Sequence, residues 1–316
     1  MKFSITILSS LVLFIFAAGI LFSQDPAKEE TSGEKMADAP PPYMDILESP
    51  VDTAKTYRML VMGWGEFVGK ILKIKEDHII FSTAAGPEKK IMVEDIIGIE
   101  EIDPQNIKNG IYYYPNPNAH RYFISITGIR PEAGEVIYQN TYFIINSVEA
   151  GITDYLSLGG GIEFSSLIFG EPLFWAGPKL GAEVIDNLHL STGLIYLGTE
   201  YPLTRPGDNY NIPYLQATYG NSDNNLSLGW GYITRDFKMK YNSRFISVGG
   251  MYRPVRYFSF VTDNTFFPDD FIGMFGIRFF GEFMTIDAGF LMTSSMLSFG
   301  HPYIIAIPYL DFSMKF

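Results

Sequence analysis

From Asp154 onward the chain alternates apolar and polar residues with a period of two, broken at intervals by short polar turns. Within Tyr155–Phe164, Leu156, Leu158, Ile162 and Phe164 share one face, and Ser157, Gly159, Gly161 and Glu163 share the other. Leu228, Trp230 and Tyr232 likewise oppose Ser227, Gly229 and Gly231, and Ile286 and Phe290 oppose Thr285, Asp287 and Gly289. Successive side chains of a strand point to opposite faces, so the pattern predicts strands with one apolar, aromatic face and one small or charged face. Asp154, Asp186-Asn187, Asp223-Asn224-Asn225, Arg253-Pro254 and Gly281-Glu282 each launch such a strand, at intervals of 27 to 37 residues. That interval fits two strands of about ten residues with one short and one longer connection.

Twelve strands are expected, over 121–128, 140–152, 155–164, 172–185, 188–198, 212–220, 226–234, 243–252, 256–264, 271–280, 283–291 and 304–316. Ten or fourteen remain open as counts of about the same size. The polar face is rich in glycine and small residues, and Tyr and Phe gather near strand ends. Both features favour a closed membrane barrel over a soluble sandwich. In the last strand Leu310, Phe312, Met314 and Phe316 alternate with Asp311, Ser313 and Lys315. Closing such a strand against the first leaves no edge in lipid. An even count puts both barrel ends on one side, with the longer connections 129–139, 165–171, 199–211, 235–242, 265–270 and 292–303 on the other. Ala288–Leu310 lacks charge and has the length of a membrane helix, but Thr293-Ser294-Ser295, Gly300-His301-Pro302 and Pro308 interrupt it, so it reads as strand, loop, strand.

Shorter alternating segments precede this region. Glu66–Ile74, His78–Ser82, Lys90–Val93 and Gly98–Ile102, with turns at Lys75–Asp77, Gly86-Pro87 and Asp95, predict a compact five-stranded β-domain over 55–103. His78 stands alone beside an apolar strand and reads as an ordinary residue, not a ligand. The expected fold class is therefore all-β: a C-terminal transmembrane antiparallel barrel over 121–316, joined by 104–120 to the small domain.

Lys2 followed by the apolar run Leu11–Phe22 reads as a signal peptide over 1–23, with cleavage after Gly19 or Ser23. Residues 24–54, with Pro40-Pro41-Pro42, read as a disordered linker. Export puts the barrel in a bacterial outer membrane and the small domain in the periplasm. Charged residues make up only 18% of the 316 residues and aromatics 16%. Mean hydropathy is nonetheless close to zero, too polar for a bundle of membrane helices. The net charge of −12 disfavours nucleic acid. Residues 57–103 carry six Lys/Arg and nine Asp/Glu, so the small domain is no RNA binder either. There is no cysteine, hence no disulfide, thiol nucleophile or lipidated Cys.

"GEFVGKI", "EDHIIFST" and "EDIIGIEEI" resemble stretches of SH3-like and Sm-like domains. Asn109–Phe123, "YQNTYFIINSVEAGITDYLSLGGGIE" (138–163) and "FGIRFFGEFMTIDAGF" (275–290) resemble uncharacterised outer-membrane proteins of the Bacteroidota type. That resemblance implies the two-part architecture over roughly 57–316 and brings no activity, substrate or catalytic residue. The last strand, ending at Phe316, resembles the C-terminal signal read by the barrel-insertion machinery. The expected partners are thus outer-membrane lipid, that machinery, and a periplasmic protein or glycan at the small domain.

Alternation assigns Arg121, Glu149, Glu163, Lys179, Glu183, His189, Asp263, Arg278, Asp287, Asp311 and Lys315 to the lumen, with Glu149, Glu163, Lys179 and Glu183 expected close together. Charges are costly against lipid, so an inward ion-pair network is expected on physical grounds alone. A lining that selects small solutes, as in a passive channel, is the functional reading. A non-conducting structural or binding barrel, presenting loops such as Phe266-Phe267-Pro268, is the alternative. Twelve strands also resemble outer-membrane phospholipase A, whose chemistry needs a Ser–His pair. His120, His189 and His301, the last near Ser294, Ser295 and Ser298, lack a surrounding nucleophile motif, so an enzyme is not expected. Metal-ligand spacings and phosphate loops are absent from the sequence, and no cofactor is expected.

Overall fold

The computed structural model describes residues 52–83, 86–168, 173–198, 209–235, 238–294 and 306–316, together with Ile46; the side chains of 238–243 are outside it. The described residues from Asp52 to Phe316 belong to one compact unit. The expected signal peptide, and the expected linker apart from Ile46 and 52–54, lie outside the described residues, as do 199–208 and 295–305.

The small domain is a five-stranded antiparallel sheet of β1 (Thr56–Val61), β2 (Gly65–Ile74), β3 (His78–Thr83), β4 (Glu88–Met92) and β5 (Ile96–Ile102), in the order β4-β3-β2-β1-β5. Met59, Ile71, Ile79, Phe81 and Ile91 are among its buried apolar residues, which accounts for the alternation in the sequence. Burial of each such side chain contributes about 1.5–3 kcal/mol. The Asp95 turn is a 3-10 turn, Val93–Asp95. His78 is buried and hydrogen-bonded to Asp77 at 2.5 Å, and this contact draws the Asp77 carboxyl below its usual range. The minimal hairpin β6 (Ile107–Lys108) and β7 (Ile111–Tyr112) follows.

The rest is a closed barrel of twelve strands: β8 (Val136–Thr141), β9 (Ile145–Gly151), β10 (Leu156–Glu163), β11 (Leu173–Ile185), β12 (Leu188–Gly198), β13 (Asn209–Gly220), β14 (Asn224–Arg235), β15 (Lys238–Val255), β16 (Phe258–Phe266), β17 (Phe271–Phe280), β18 (Met284–Thr293) and β19 (Ile307–Lys315). Each strand pairs antiparallel with its chain neighbours, and β19 closes on β8 over Asp311↔Thr141 to Lys315↔Ile137. The backbones of Phe316 and Val136 exchange hydrogen bonds of 2.8 and 3.1 Å, completing the seam. No described helix is long and apolar enough to cross a membrane, and the segment weighed as a helix forms β18 and β19 at its ends.

The strand count of twelve arises from two departures that cancel. Residues 121–128 do not form a wall strand. Residues 140–152 instead form part of a hairpin, β8–β9, turned at Tyr142-Phe143-Ile144. That turn contains no Gly, Pro, Asn or Asp, so the sequence gives no break there. Two connections also differ. Residues 129–135 lie at the end of the barrel that holds the termini, where Gly134 N–H donates to Gly151. β14 and β15 run to Arg235 and from Lys238, leaving no long loop at 235–242.

The barrel faces sort as alternation requires. Leu158, Leu180, Leu226, Leu228, Phe260 and Phe275 point outward, between 48% and 63% exposed. The residues that alternate with them, on the inner face, from Ser157 through Lys179 to Arg278 and Asp287, are buried and pair with one another in register. At the terminal end Tyr155, Tyr219, Tyr252, Tyr257, Phe283 and Phe316 form an exposed aromatic ring around the outside. Soluble monomers rarely expose a contiguous apolar surface of this kind, whereas a membrane barrel must.

Candidate functional site

The lumen is occupied by the chain itself. Residues 115–131 leave β7, pass through the barrel interior and return to β8. Asn118, Tyr122, Phe123 and Thr127 are fully buried. A segment with little regular structure carries backbone groups that must find partners away from water, and the inner walls supply them.

On one side Arg278 of β17 forms a two-point pair with Asp287 of β18, Nε to Oδ1 at 2.8 Å and Nη2 to Oδ2 at 2.7 Å, with both side chains wholly buried. Its remaining donors reach the carbonyls of Asn118 (2.5 Å) and Tyr122 (2.9 Å). Opposite in sign, Asp263 of β16 accepts the backbone N–H groups of Ile124 and Ser125, both at 2.8 Å. Across the lumen Lys179 of β11 donates to the Ile129 carbonyl at 2.5 Å and stands 4.0 Å from Glu149. Glu149 in turn accepts from Ser157 at 2.8 Å and lies 3.4 Å from His120 Nε2. Tyr122 reaches Asn225 and Ser227, each at 2.7 Å, and Gly128 N–H donates to Thr218 at 2.6 Å. Gly249 makes room for this packing: a Cβ there would lie 2.3 Å from the Tyr122 ring.

These contacts locate the residues that alternation assigned to the lumen. Glu149, Lys179, Asp263, Arg278, Asp287 and Asp311 are buried or nearly so on the inner face. Asp311 accepts from Gln139 Nε2 at 2.6 Å and is bonded by Tyr309 OH. Arg121 belongs to the inserted segment rather than to a strand, and donates to the Phe123 carbonyl. The expected cluster of Glu149, Glu163, Lys179 and Glu183 does not form. Only Glu149 and Lys179 approach. Glu163 caps the turn of α1 (Phe164–Ile168) through the N–H groups of Ser165 and Ser166, and exposed Glu183 bonds Asn187 N–H. Axial distance explains this, since the four share a face but not a height. His189 is half-buried near the terminal end, and Lys315 pairs there with Glu135. His301, Ser295 and Ser298 lie outside the described residues.

Sequence reasoning missed Asn116, Asn118 and Thr127 and weighed His120 only for an enzyme site; all four are buried polar residues of the inserted segment. Their signal was available in principle: a Pro- and Asn-rich stretch with apolar Tyr122-Phe123 in its middle is unsuited to a solvated linker.

The small domain meets the terminal end of the barrel through charge pairs. Arg256, in the β15–β16 turn, grips Glu66 of β2 with two bonds of 3.1 Å. Arg58 of β1 bonds Glu100 at 2.7 Å, Glu282 of the β17–β18 turn at 3.1 Å and Tyr114 OH at 2.9 Å. Burial disfavours the Arg58 charge, but the hydrogen bond to Glu100 and the nearby Tyr114 and Glu66 outweigh it, so its pKa is raised. Arg253 reaches both Asp223 and the Tyr114 carbonyl at 2.8 Å, just before the chain enters the lumen. Among the described residues no group of three or more His, Cys, Asp or Glu could hold a metal ion.

No family model matches the chain, nor does any curated protein. Among solved structures, the KdgM porin is similar at 6% identity and a TM-score of 0.38, covering 57% of this chain and 95% of that one. The NanC porin is similar at 9% identity and 0.37, covering 58% and 98%. A loop L8 deletion mutant of OmpT, an outer membrane protein of Vibrio cholerae, is similar at 10% identity and 0.31, covering 83% and 96%. By its closed twelve-stranded wall and apolar exterior, the chain is an outer-membrane-type β-barrel carrying a separate five-stranded sheet.

Proposed function

We propose that this protein is an outer-membrane barrel held closed by its own lumen segment, 115–131, with the small domain on the periplasmic side as the anchor of that segment. The observation that carries the reading is the use of the inner charges. Arg278, Asp263 and Lys179 spend their hydrogen bonds on the segment's backbone, not on an open aqueous passage. Passage of small solutes then requires the segment to leave or rearrange, and the residues that lined an expected channel become its latch. Uniformly short connections at the terminal end, against the longer 164–172, 199–208 and 294–306 at the other, support the periplasmic orientation. Kinship with Bacteroidota-type barrels rests on the sequence stretches alone. Recognition of Phe316 by insertion machinery is a further part of the proposal, supported by its place at the closing seam.

The test is planar-bilayer conductance. The full chain should give no steady current, and a chain with 115–131 replaced by a Gly/Ser segment of equal length should conduct. Equal, stable conductance from both would overturn the reading.

A further inference from the structure

β8 and β9 are the shortest strands of the barrel wall, with six and seven residues against nine in β19 and ten in β18. On one flank β19 runs past β8: Asp311 is the last residue paired with it, and Ile307 to Leu310 have strand partners only in β18. A tilted strand of this length rises about 15 Å, well short of the roughly 25 Å apolar band of an outer-membrane barrel. The hairpin therefore turns inside the hydrocarbon layer.

Its turn has the chemistry of that depth. The turns at the terminal end use Asp186-Asn187, Asn221-Ser222-Asp223 and Gly281-Glu282, suited to water. Here the residues are Tyr142, Phe143 and Ile144, the last two 51% and 40% exposed. Tyr142 and Phe143 adopt left-handed φ angles of 53° and 64°, a conformation that Asn187 takes at 64° in the β11–β12 turn. Asn or Gly is the inexpensive choice for such a turn in water. Aromatic residues there make sense where polar side chains are excluded and backbone groups must be satisfied internally. Ile144 N–H donates to Thr141, the Ile144 carbonyl accepts from Phe164 N–H at 2.8 Å, and Tyr142 bonds Leu310 and Pro308 carbonyls at 3.0 and 2.6 Å.

A chain of rings crosses this low rim. Phe312 on the outer face lies 6.5 Å from Phe143. Tyr142 lies 5.6 Å from Tyr309 of the inner face, and Tyr309 lies 5.1 Å from Phe123 of the lumen segment. Tyr142 and Leu291 pack against the buried lumen cluster that contains Phe123 and Tyr309.

We propose that an acyl chain of the surrounding bilayer docks over this rim against Phe143, Tyr142 and Leu291, above the buried ring of Tyr309, so that the lumen segment is reached sideways from lipid by molecules with an alkyl tail. The inference rests on the membrane placement proposed above. Its test uses the full chain in liposomes containing a phospholipid with a diazirine at the end of one acyl chain. After irradiation, adducts are mapped by mass spectrometry. Adducts are expected on outward Phe275 and Leu228 and also on inward Leu291 and Tyr142, with the Leu291 labelling reduced in Tyr142→Ala. Labelling of Phe275 and Leu228 without Leu291 or Tyr142 overturns the docking and leaves the membrane placement standing. Absence of adducts on the outward residues contradicts the placement itself, and the docking with it.

Discussion

Arg278 and Asp287 face each other as register partners on β17 and β18, fully buried, and the same guanidinium carries two carbonyls of the inserted segment. One buried guanidinium thus ties two wall strands to the segment. Removing one partner of a buried pair leaves the other uncompensated, at a cost of about 3–5 kcal/mol. Arg278→Ala should lower the thermal unfolding temperature in detergent and also open the barrel to current. Asp287→Asn should destabilise by a similar amount. Unchanged unfolding and conductance in both variants would contradict the assigned role.

Asp263, on the neighbouring strand β16, holds the segment with negative charge. In Asp263→Leu the N–H groups of Ile124 and Ser125 lose their acceptor, a loss of about 1.5–3 kcal/mol for hydrogen bonds to a charged group. Hydrogen exchange at residues 122–127 should accelerate while exchange in β16 stays slow. Equal protection of the segment in parent and variant would contradict this.

Gly249 is required for space rather than for a turn. A side chain there meets the Tyr122 ring, which has no room to retreat between Asn225 and Ser227. Gly249→Val should displace the segment with the wall intact, seen as new current without loss of the folded, heat-modifiable gel band. Gly98→Val, where a Cβ would find only a distant Leu60 carbon at 4.0 Å, is the control and should leave conductance unchanged.

The pair Arg256–Glu66 fixes the small domain on the barrel end. Its side chains are partly exposed, so the contribution is modest, about 1 kcal/mol at most, and screened by salt. Arg256→Glu should speed proteolysis at residues 104–112, and the double exchange Arg256→Glu with Glu66→Arg should slow it again. Failure of the double exchange to restore protection would contradict the contact.

The wall strands were legible because lipid outside and polar groups inside impose a strict period of two; β11, β12 and β17 match the expected 172–185, 188–198 and 271–280 within a residue. The first hairpin was not legible, because Tyr142-Phe143-Ile144 turns the chain with residues that elsewhere continue a strand. The lumen segment was misread for a related reason. Tyr122, Ile124 and Ile126 alternate with Phe123, Ser125 and Thr127 as a strand would, but a bridge from Arg121 to Ile126 folds the stretch on itself. Which inward charges meet depends on their height along the barrel axis, information that a two-residue period does not contain. Glu163 and Lys179 share a face and never meet for that reason.

The chain lacks cysteine, so a single engineered pair can report on the lumen segment without background. Ser125 Oγ and Thr265 Oγ1 lie 3.3 Å apart, one on the segment and one on the wall. Their replacement, S125C with T265C, places two thiols within disulfide reach. In outer membranes of intact cells, mild oxidation should convert nearly all of the protein to a cross-linked form of altered gel mobility, restored by reductant, while either single variant stays unchanged. A double variant that folds and inserts yet forms no such bond would show that the segment is not inside the barrel, and the closed-barrel account would fail.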